Sequence, residues 1–590
     1  MKFTVYADVA QPFDYVEIRL FSKSNDPISR DSDVREEDPS KDSRRFARAF
    51  DGMYNLDYLF PVVDIRLNGD MQGVALFEHV IGGWYKINPM FHPQKHRLHE
   101  QNILQTNELE NWENWLLVGE PNARCTGFYL RKQLTACTEH ICEEFETISD
   151  FWSGHWEVVS VSGETETLLA TQTLSLDSPN KVTSPKSCEL NEENLRISLN
   201  NSLRYLLDSI DHTPNSPMCG GLNLFYDRDA ATYRQKYWLW TYAPAIQAMV
   251  RAADCSECAE RFGAKNLLES ARGMADVAVR HQMEDKDHPA NGLVLCRYDY
   301  SVFTSHGYDS KYSPADGLML AGIGMLPLYK KTADLKYLNF CKKMADATGD
   351  LLELDTVIQQ DYYPMMESWK TNTVNESGFG MEGLADLYLI TKDEKYKAIG
   401  KKYIDQLIAV LEDDCGLWAK NYFRHSGRID PNDYLTRGMA WAMMGLTSAY
   451  RMTGDTRYLD KSKTMAKSLM DNQMEDGSWS FYYDQGARGA EKYGISEKGT
   501  AAWCYLFYRM YHMTGEQMYL DTARKALKWL MKEQYMGSDV QGQGGIYART
   551  PQSGVVSRAY FALSCSYTVS FFALSVLEEL DLLQKKRRQP

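Results

Sequence analysis

The sequence predicts a β-rich, sandwich-like N-terminal domain (residues 1–185) followed by an (α/α)6 barrel (residues 186–590). Three observations predict it. Short β-rich runs separated by polar turns fill the first part of the chain, a period of 3.6 takes over from Asn191, and one helix–turn–helix signature recurs about every sixty residues.

A chain of 590 residues with 44% hydrophobic and 25% charged residues has the composition of an ordinary globular protein, with length for more than one folding unit. No stretch approaches the ~18 apolar residues of a bilayer span, and Met1–Asp8 lacks the apolar run of a signal peptide. The expectation is a cytoplasmic protein with no membrane partner. The net charge of −15 repels phosphate backbones, so no nucleic acid is expected. There is neither a P-loop nor a Gly-x-Gly-x-x-Gly fingerprint, and no cofactor is expected. The twelve cysteines are scattered; the one Cys-x-x-Cys, Cys255 with Cys258, has no second pair, so no metal site is expected and the thiols are read as reduced.

In the N-terminal part, Phe3–Tyr6, Tyr15–Phe21, Val62–Leu67 and Trp156–Val161 read as strands. Lys23–Arg48 reads as a mobile loop and Asp177–Cys188 as the connector between domains. Twelve helices follow, at about 191–211, 232–253, 259–282, 313–331, 334–353, 376–391, 394–412, 433–453, 456–473, 496–514, 517–534 and 557–580. Tyr329–Tyr337, Tyr388–Tyr396, Tyr450–Tyr458 and Tyr511–Tyr519 share a helix end, a tight polar turn and a new helix, at intervals of 59, 62 and 61 residues. That period exceeds the ~33–47 residues of common helical solenoids, and six helix pairs can close into a ring.

Connections alternate between tight turns and long Gly- and aromatic-rich loops, which places every long loop at one end. Loops of that length are usually functional, so this end is expected to hold the cleft. Counting back 12 to 14 residues from each helix-ending tyrosine reaches Asp316, Glu376, Arg437 and Glu497, four charged residues at equivalent first-turn positions of the rim. Paired carboxylates suit glycosidic bond chemistry, one protonating the leaving oxygen while the other activates water or attacks the ring. An arginine fork suits a sugar carboxylate, and Trp441 lies one helical turn beyond Arg437 where a ring could stack. The plainer reading is that these acids satisfy helix starts. His306, Tyr308, Asp309, Tyr363, Trp418, Arg424 and Tyr483, all on the long loops, complete the expected substrate-binding set.

The segment Thr436-Arg-Gly-Met-Ala-Trp-Ala-Met-Met-Gly445, followed by Tyr450-Arg-Met-Thr-Gly-Asp455, resembles the Arg-Gly-x-Ala-Trp-Ala helix of unsaturated glucuronyl hydrolases, which are (α/α)6 barrels. The resemblance spans roughly residues 230–530 and implies uronate binding by Arg437 and Trp441, with Asp316 and Glu376 at the positions of that family's two aspartates. The sequence departs from the pattern at Glu376, at Ala315 where a histidine is usual, and in its added β domain, which resembles the architecture of some exo-acting β-glucuronidases. The expected activity is therefore an exo-acting glycoside hydrolase that removes a terminal uronic acid from an oligosaccharide, with Glu376 as acid, Asp316 as second carboxylate and Glu497 in reserve. An unsaturated glucuronyl hydrolase, a uronate lyase or epimerase, and a non-catalytic sugar binder are the alternatives; a homo-oligomer is left open.

Overall fold

An α-helix with one apolar stripe must bury it against a neighbour, and helices arranged in pairs do so most completely when the series closes on itself. The computed structural model describes residues 2–9, 14–23, 72–77, 125–134, 140–146, 154–163, 165–174, 188–212, 218–227, 232–234, 236–299, 311–354, 358, 361–364, 367–370, 372–429, 434–480, 482–484, 488–489, 495–537, 541–547 and 563–588. Among them, twelve helices make a double ring.

The inner ring consists of α2 (Tyr242–Ala252), α4 (314–332), α6 (Met381–Thr391), α8 (Thr436–Thr453), α10 (Glu497–Thr514) and α12 (Ser566–Arg588). Each packs against the next, and α12 returns to α2. The outer ring consists of α1 (Glu192–Asp208), α3 (Ala264–Arg280), α5 (Leu335–Leu354), α7 (Glu394–Leu411), α9 (Thr456–Asp471) and α11 (Gln517–Glu533), each covering the inner helix before it, with α1 on α12. The architecture is an (α/α)6 barrel. No helix among the described residues is long and apolar enough to cross a membrane.

The recurrent tyrosine motif forms the tight turns at one end of the barrel. Ala333, Lys392, Gly454 and Gly515 take left-handed backbone there, and each donates its N–H to the carbonyl of the helix-ending tyrosine. Asp393 and Asp455 then cap the following helices by accepting from Lys395 N and Arg457 N. The second tyrosine of each motif is buried, with the Tyr337 and Tyr458 hydroxyls donating to Asp276 and Asp405 at 3.0 and 2.8 Å.

At the opposite end the long loops pair with one another around the mouth. Lys236–Trp238 pairs with Arg297–Asp299, Tyr312 bridges to Tyr362, and Asn372–Val374 pairs with Asn421–Phe423. Tyr434–Leu435 pairs with Tyr482–Asp484, and Leu563–Cys565 with Phe225–Asp227. These strands correct three helix starts. Within the segments expected as helix from 232, 433 and 557, the described residues Thr232–Arg234, Lys236–Trp238, Tyr434–Leu435 and Leu563–Cys565 are strand, because their β-favouring residues (Tyr233, Tyr237, Tyr434, Leu563) pair with neighbouring loops before the helices begin.

Five of the six long loops open with a turn on glycine (Gly220, Gly292, Gly416, Gly477 and Gly544) that leans on the next outer helix. Gly477 (φ +103°) faces the Lys525 carbonyl of α11, and Gly544 (φ +88°) faces the Asn201 carbonyl of α1, which closes the outer ring. A side chain at either position would be strained by its backbone and driven into that carbonyl.

In the N-terminal part, the described strands form a five-stranded antiparallel sheet and a two-stranded ribbon. With β1 (Lys2–Asp8), β2 (Tyr15–Lys23), β3 (Gln72–Phe77), β4 (Cys125–Leu134), β5 (His140–Glu146), β6 (Gly154–Ser162) and β7 (Thr165–Leu174), the sheet order is β3-β4-β2-β6-β7 and the ribbon is β1-β5. Val16, Ile18 and Val158 are buried in the sheet, Val5 and Ala7 in the ribbon, and Tyr6 lies with its ring centroid 6.3 Å from that of Trp156. Val62–Leu67 and the segment from 24 to 48 lie outside the described residues, as do residues 175–187, which contain the expected boundary.

The barrel's interior is plugged by charge. The Glu382 carboxylate on α6 accepts two hydrogen bonds from Arg509 of α10 (2.8 and 2.7 Å), one from Arg451 of α8 (3.0 Å) and one from Ser448, while Arg451 also pairs with Asp386. Burial by itself would raise the Glu382 pKa, but the charges and hydrogen bonds of Arg509 and Arg451 outweigh it and hold the carboxyl well below the usual range. Because its folded pKa is depressed, Glu382 contributes stability above its unfolded pKa, near 4.5, which is lost as pH falls through the lower folded value.

Two stability predictions follow from this packing. Gly477→Ala should cost more than about 2 kcal/mol in urea unfolding, whereas Gly454→Ala, whose added methyl meets open space, should cost only about 1 kcal/mol; equal losses would remove the proposed clash with α11. Arg509→Met, which leaves Glu382 short of one partner, should cost about 3 kcal/mol at neutral pH, with the deficit shrinking as Glu382 is protonated in acid.

Candidate functional site

The rim residues are gathered by one tight turn. Asn375–Gly380 is a 3₁₀ segment running straight into α6, and it is wedged between the first turn of α4 and the start of α8. Glycine permits the approach on both sides. A methyl on Gly380 would meet the Tyr403 hydroxyl at 2.6 Å and the Ala315 backbone at 3.1 Å, and one on Gly378 would meet the Trp441 carbonyl at 2.6 Å. Gly438, next to Arg437, leaves room for the Asn375 side chain, which donates to the Trp418 carbonyl at 3.2 Å. The backbones carrying Asp316, Glu376 and Arg437 are thereby held side by side at the mouth.

Asp316 opens α4, where Ser313 accepts from its N–H and Pro314 occupies the first turn. Its carboxylate is buried and lies 3.2 Å from Lys311 Nζ, which is also 2.9 Å from Asp361. Two buried carboxylates therefore share one ammonium. Their field, after burial itself, pushes the Cys296 thiol up, and Asp316 adds to the burial that raises the Tyr403 hydroxyl. Tyr403 donates to the Ser377 carbonyl at 2.6 Å, tying the same turn to outer helix α7. Directly beyond Asp316, Leu320–Met325 is π-helical, a distortion that recurs at functional sites.

Glu376 is partly exposed, in contrast to Asp316. Glu497 is buried, with Lys498 Nζ 3.2 Å away, and Ser496 caps α10 by accepting from Gly499 N at 3.0 Å. That placement gives Glu497 the structural role the helix start favours rather than an open one.

The tryptophans require correction as stacking platforms. Trp441 is 0% exposed and lies among Phe379, Tyr567 and Phe571 at centroid distances of 5.2 to 5.7 Å, with Trp240 at 6.5 Å. Its position on the lumen side of α8, one turn below the rim, packs it into an aromatic floor instead of leaving a face open. Trp418 is likewise 0% exposed. Arg424 and Tyr363 are partly exposed on the rim loops. Arg437 stands at the second residue of α8, and Tyr483 in the strand paired with Tyr434. His306, Tyr308 and Asp309 lie outside the described residues.

From mouth to base the lumen runs from rim acids, to the aromatic floor, to Tyr505 and Phe571 at 5.6 Å, to the Glu382 plug. Sequence reasoning gave Lys311 no partner and missed Asp361 and Asn375. Asp361 stands 50 residues from the lysine it pairs with, and no local pattern links them.

Three comparisons bear on this geometry. Over 119 residues the chain is 29% identical to the unsaturated glucuronyl hydrolase of Formosa agariphila, a match covering 20% of this chain and 28% of that protein. The fold is similar to that of cellobiose 2-epimerase from Bacillus thermoamylovorans, with a TM-score of 0.50 and 15% identity over 65% of this chain and 98% of that one. An unsaturated glucuronyl hydrolase structure from Bacillus sp. GL1 aligns with a TM-score of 0.48 and 13% identity, over 65% and 96%. No protein-family model matches the chain. The chain thus resembles (α/α)6-barrel enzymes in fold and unsaturated glucuronyl hydrolases in part of its sequence.

Removing the shared ammonium tests the ion triad. Lys311→Met should cost about 3 kcal/mol in urea unfolding by leaving two buried carboxylates without their cation, and Lys311→Met with Asp361→Asn should recover part of it. An unchanged midpoint for Lys311→Met would mean that Lys311 does not carry this pair.

Proposed function

We propose that the protein is an exo-acting glycoside hydrolase that removes a terminal uronic acid from an oligosaccharide. The observation that carries the reading is the gathering of Asp316, Glu376 and Arg437 around one turn at the long-loop end of the barrel. Beneath the rim the space is filled by Trp441 and its aromatic neighbours, which supports an exo-acting reading in which only the end of a sugar chain is engaged at the mouth. The partial sequence match to an unsaturated glucuronyl hydrolase supports the uronide class.

In the proposed mechanism Glu376, the more accessible carboxyl, protonates the glycosidic oxygen. Asp316 acts as the second carboxylate, either on water or on the ring, and Lys311 and Asp361 fix its position through the ion triad. Arg437 takes the uronate as a bidentate partner. The proposed division of the chain is a β-rich domain over residues 1–185 and the catalytic barrel over residues 186–590.

The test pairs 4-nitrophenyl β-glucuronide with an unsaturated uronyl disaccharide, following 4-nitrophenol release and loss of ultraviolet absorbance. Turnover of either is expected, with Glu376→Gln and Asp316→Asn each lowering kcat by about a hundredfold or more. Release of 4-nitrophenol assigns a saturated uronide, and loss of absorbance an unsaturated one. Solvent deuterium entering an uncleaved sugar, or turnover indifferent to Glu376→Gln, would overturn the proposal.

A further inference from the structure

The base of the barrel carries a pair of thiols that the proposed hydrolysis does not use. After α2 ends, Cys255 leads into a short helix, Ser256–Phe262, that places Cys258 one turn further along. Residues three apart on a helical turn stand ~5–6 Å apart at Cβ and a disulfide needs ~3.5–4.5 Å there, so bridging this pair requires the short helix to tighten by about 1–2 Å at its first turn. Cys255 is partly exposed while Cys258 is 2% exposed and donates to Asn200 Oδ1 at 4.0 Å, and both are free thiols. Arg196 of α1 stands beside Cys255, held there by ion pairs to Glu192 and to Glu257, the residue between the two cysteines.

We infer that Cys255 and Cys258 form a reversible oxidation site in which Cys255 is the attacking thiol and Cys258 the resolving one. The groups facing the pair divide their roles. The Cys258 thiol's hydrogen bond, and then the Arg196 charge, outweigh the burial of Cys255 and bring its pKa down to about 6, whereas the same pairing and burial push Cys258 up. A thiolate is the nucleophile in disulfide exchange, and the exposed member of the pair is the one that carries it.

The chemistry needs a low-molecular-weight disulfide as oxidant. The Cys255 thiolate attacks one sulfur of that disulfide, forming a mixed disulfide and expelling one thiolate. Cys258 then loses its proton, attacks the Cys255 sulfur and expels the second thiolate. Two protein thiols are oxidised to one internal disulfide and the small disulfide is reduced to two thiols. The site lies at the tight-turn end of the barrel, opposite the mouth, so its chemistry is read on the thiols themselves and stands whether or not the protein hydrolyses uronides.

The experiment treats the reduced full-length protein with oxidised glutathione, traps remaining thiols with iodoacetamide and maps the peptides by mass. The expected product is a peptide with Cys255 and Cys258 joined. Cys258→Ser should instead accumulate glutathione on Cys255, and Cys255→Ser should leave Cys258 unmodified. The pH profile of iodoacetamide reaction at Cys255 should have its midpoint near 6, and at neutral pH Cys255 should react faster than the exposed Cys415. A Cys255 that reacts no faster than Cys415 at neutral pH, or one that keeps glutathione in the unmutated protein without passing it to a disulfide, would overturn the inference.

Discussion

The mouth of the barrel depends on how closely the turn Asn375–Gly380 approaches its two neighbours. Gly378 and Gly380 bring that turn against α8 and α4, and Gly438 admits Asn375 from the other side. A methyl at any of them would press on backbone or on a side chain with nowhere to move, so the spacing of three rim residues is fixed by atoms that are absent. Further down, Gly322 of α4 meets Gly383 of α6, and a methyl at Gly445 of α8 would meet the Gly378 carbonyl at 2.6 Å. The same stripe of close contact therefore continues into the lumen.

Close packing of inner helices leaves a narrow interior whose polar groups must be matched. Glu382 meets that demand with two guanidinium groups from different helices, and the network is satisfied on α6, α8 and α10 together. Above it, five aromatic side chains from four elements fill the space under the rim. The lumen is closed by packing at its base, while the long loops at the other end are tied by strand pairs. Rigidity below and loop chemistry above is a common division of labour for sites built on a scaffold.

Much of the barrel was legible because its signals are local and repeated. The helix count, the tight turns after Tyr329, Tyr388, Tyr450 and Tyr511, and the gathering of long loops at one end all follow from period and punctuation. What failed was non-local. Leu563–Cys565 becomes strand because it pairs with Phe225–Asp227, more than 330 residues away, and no window of sequence contains both. Trp441 has the right spacing from Arg437 to share a helical face, yet that face turns into the aromatic floor, because spacing fixes direction around a helix and not what stands opposite. Asp316 could be placed at a helix start from sequence, but its partnership with Lys311 and Asp361 required three loop and helix segments to meet.

Charge balance at the rim gives that partnership its significance. The chain carries a net charge of −15, and an anionic sugar approaching Asp316 and Asp361 would meet two negative charges in a poorly solvated place. Lys311 offsets one of them without occupying space above the rim, since it is itself buried between the carboxylates. In the proposed function the positive charge that engages the uronate comes from a different position, Arg437, at the start of the helix on the far side of the Asn375–Gly380 turn. On the proposed reading, separating the cation that steadies the carboxylate from the one that would bind the uronate would let one sugar present its glycosidic oxygen to the acids and its own carboxylate to the arginine at the same time.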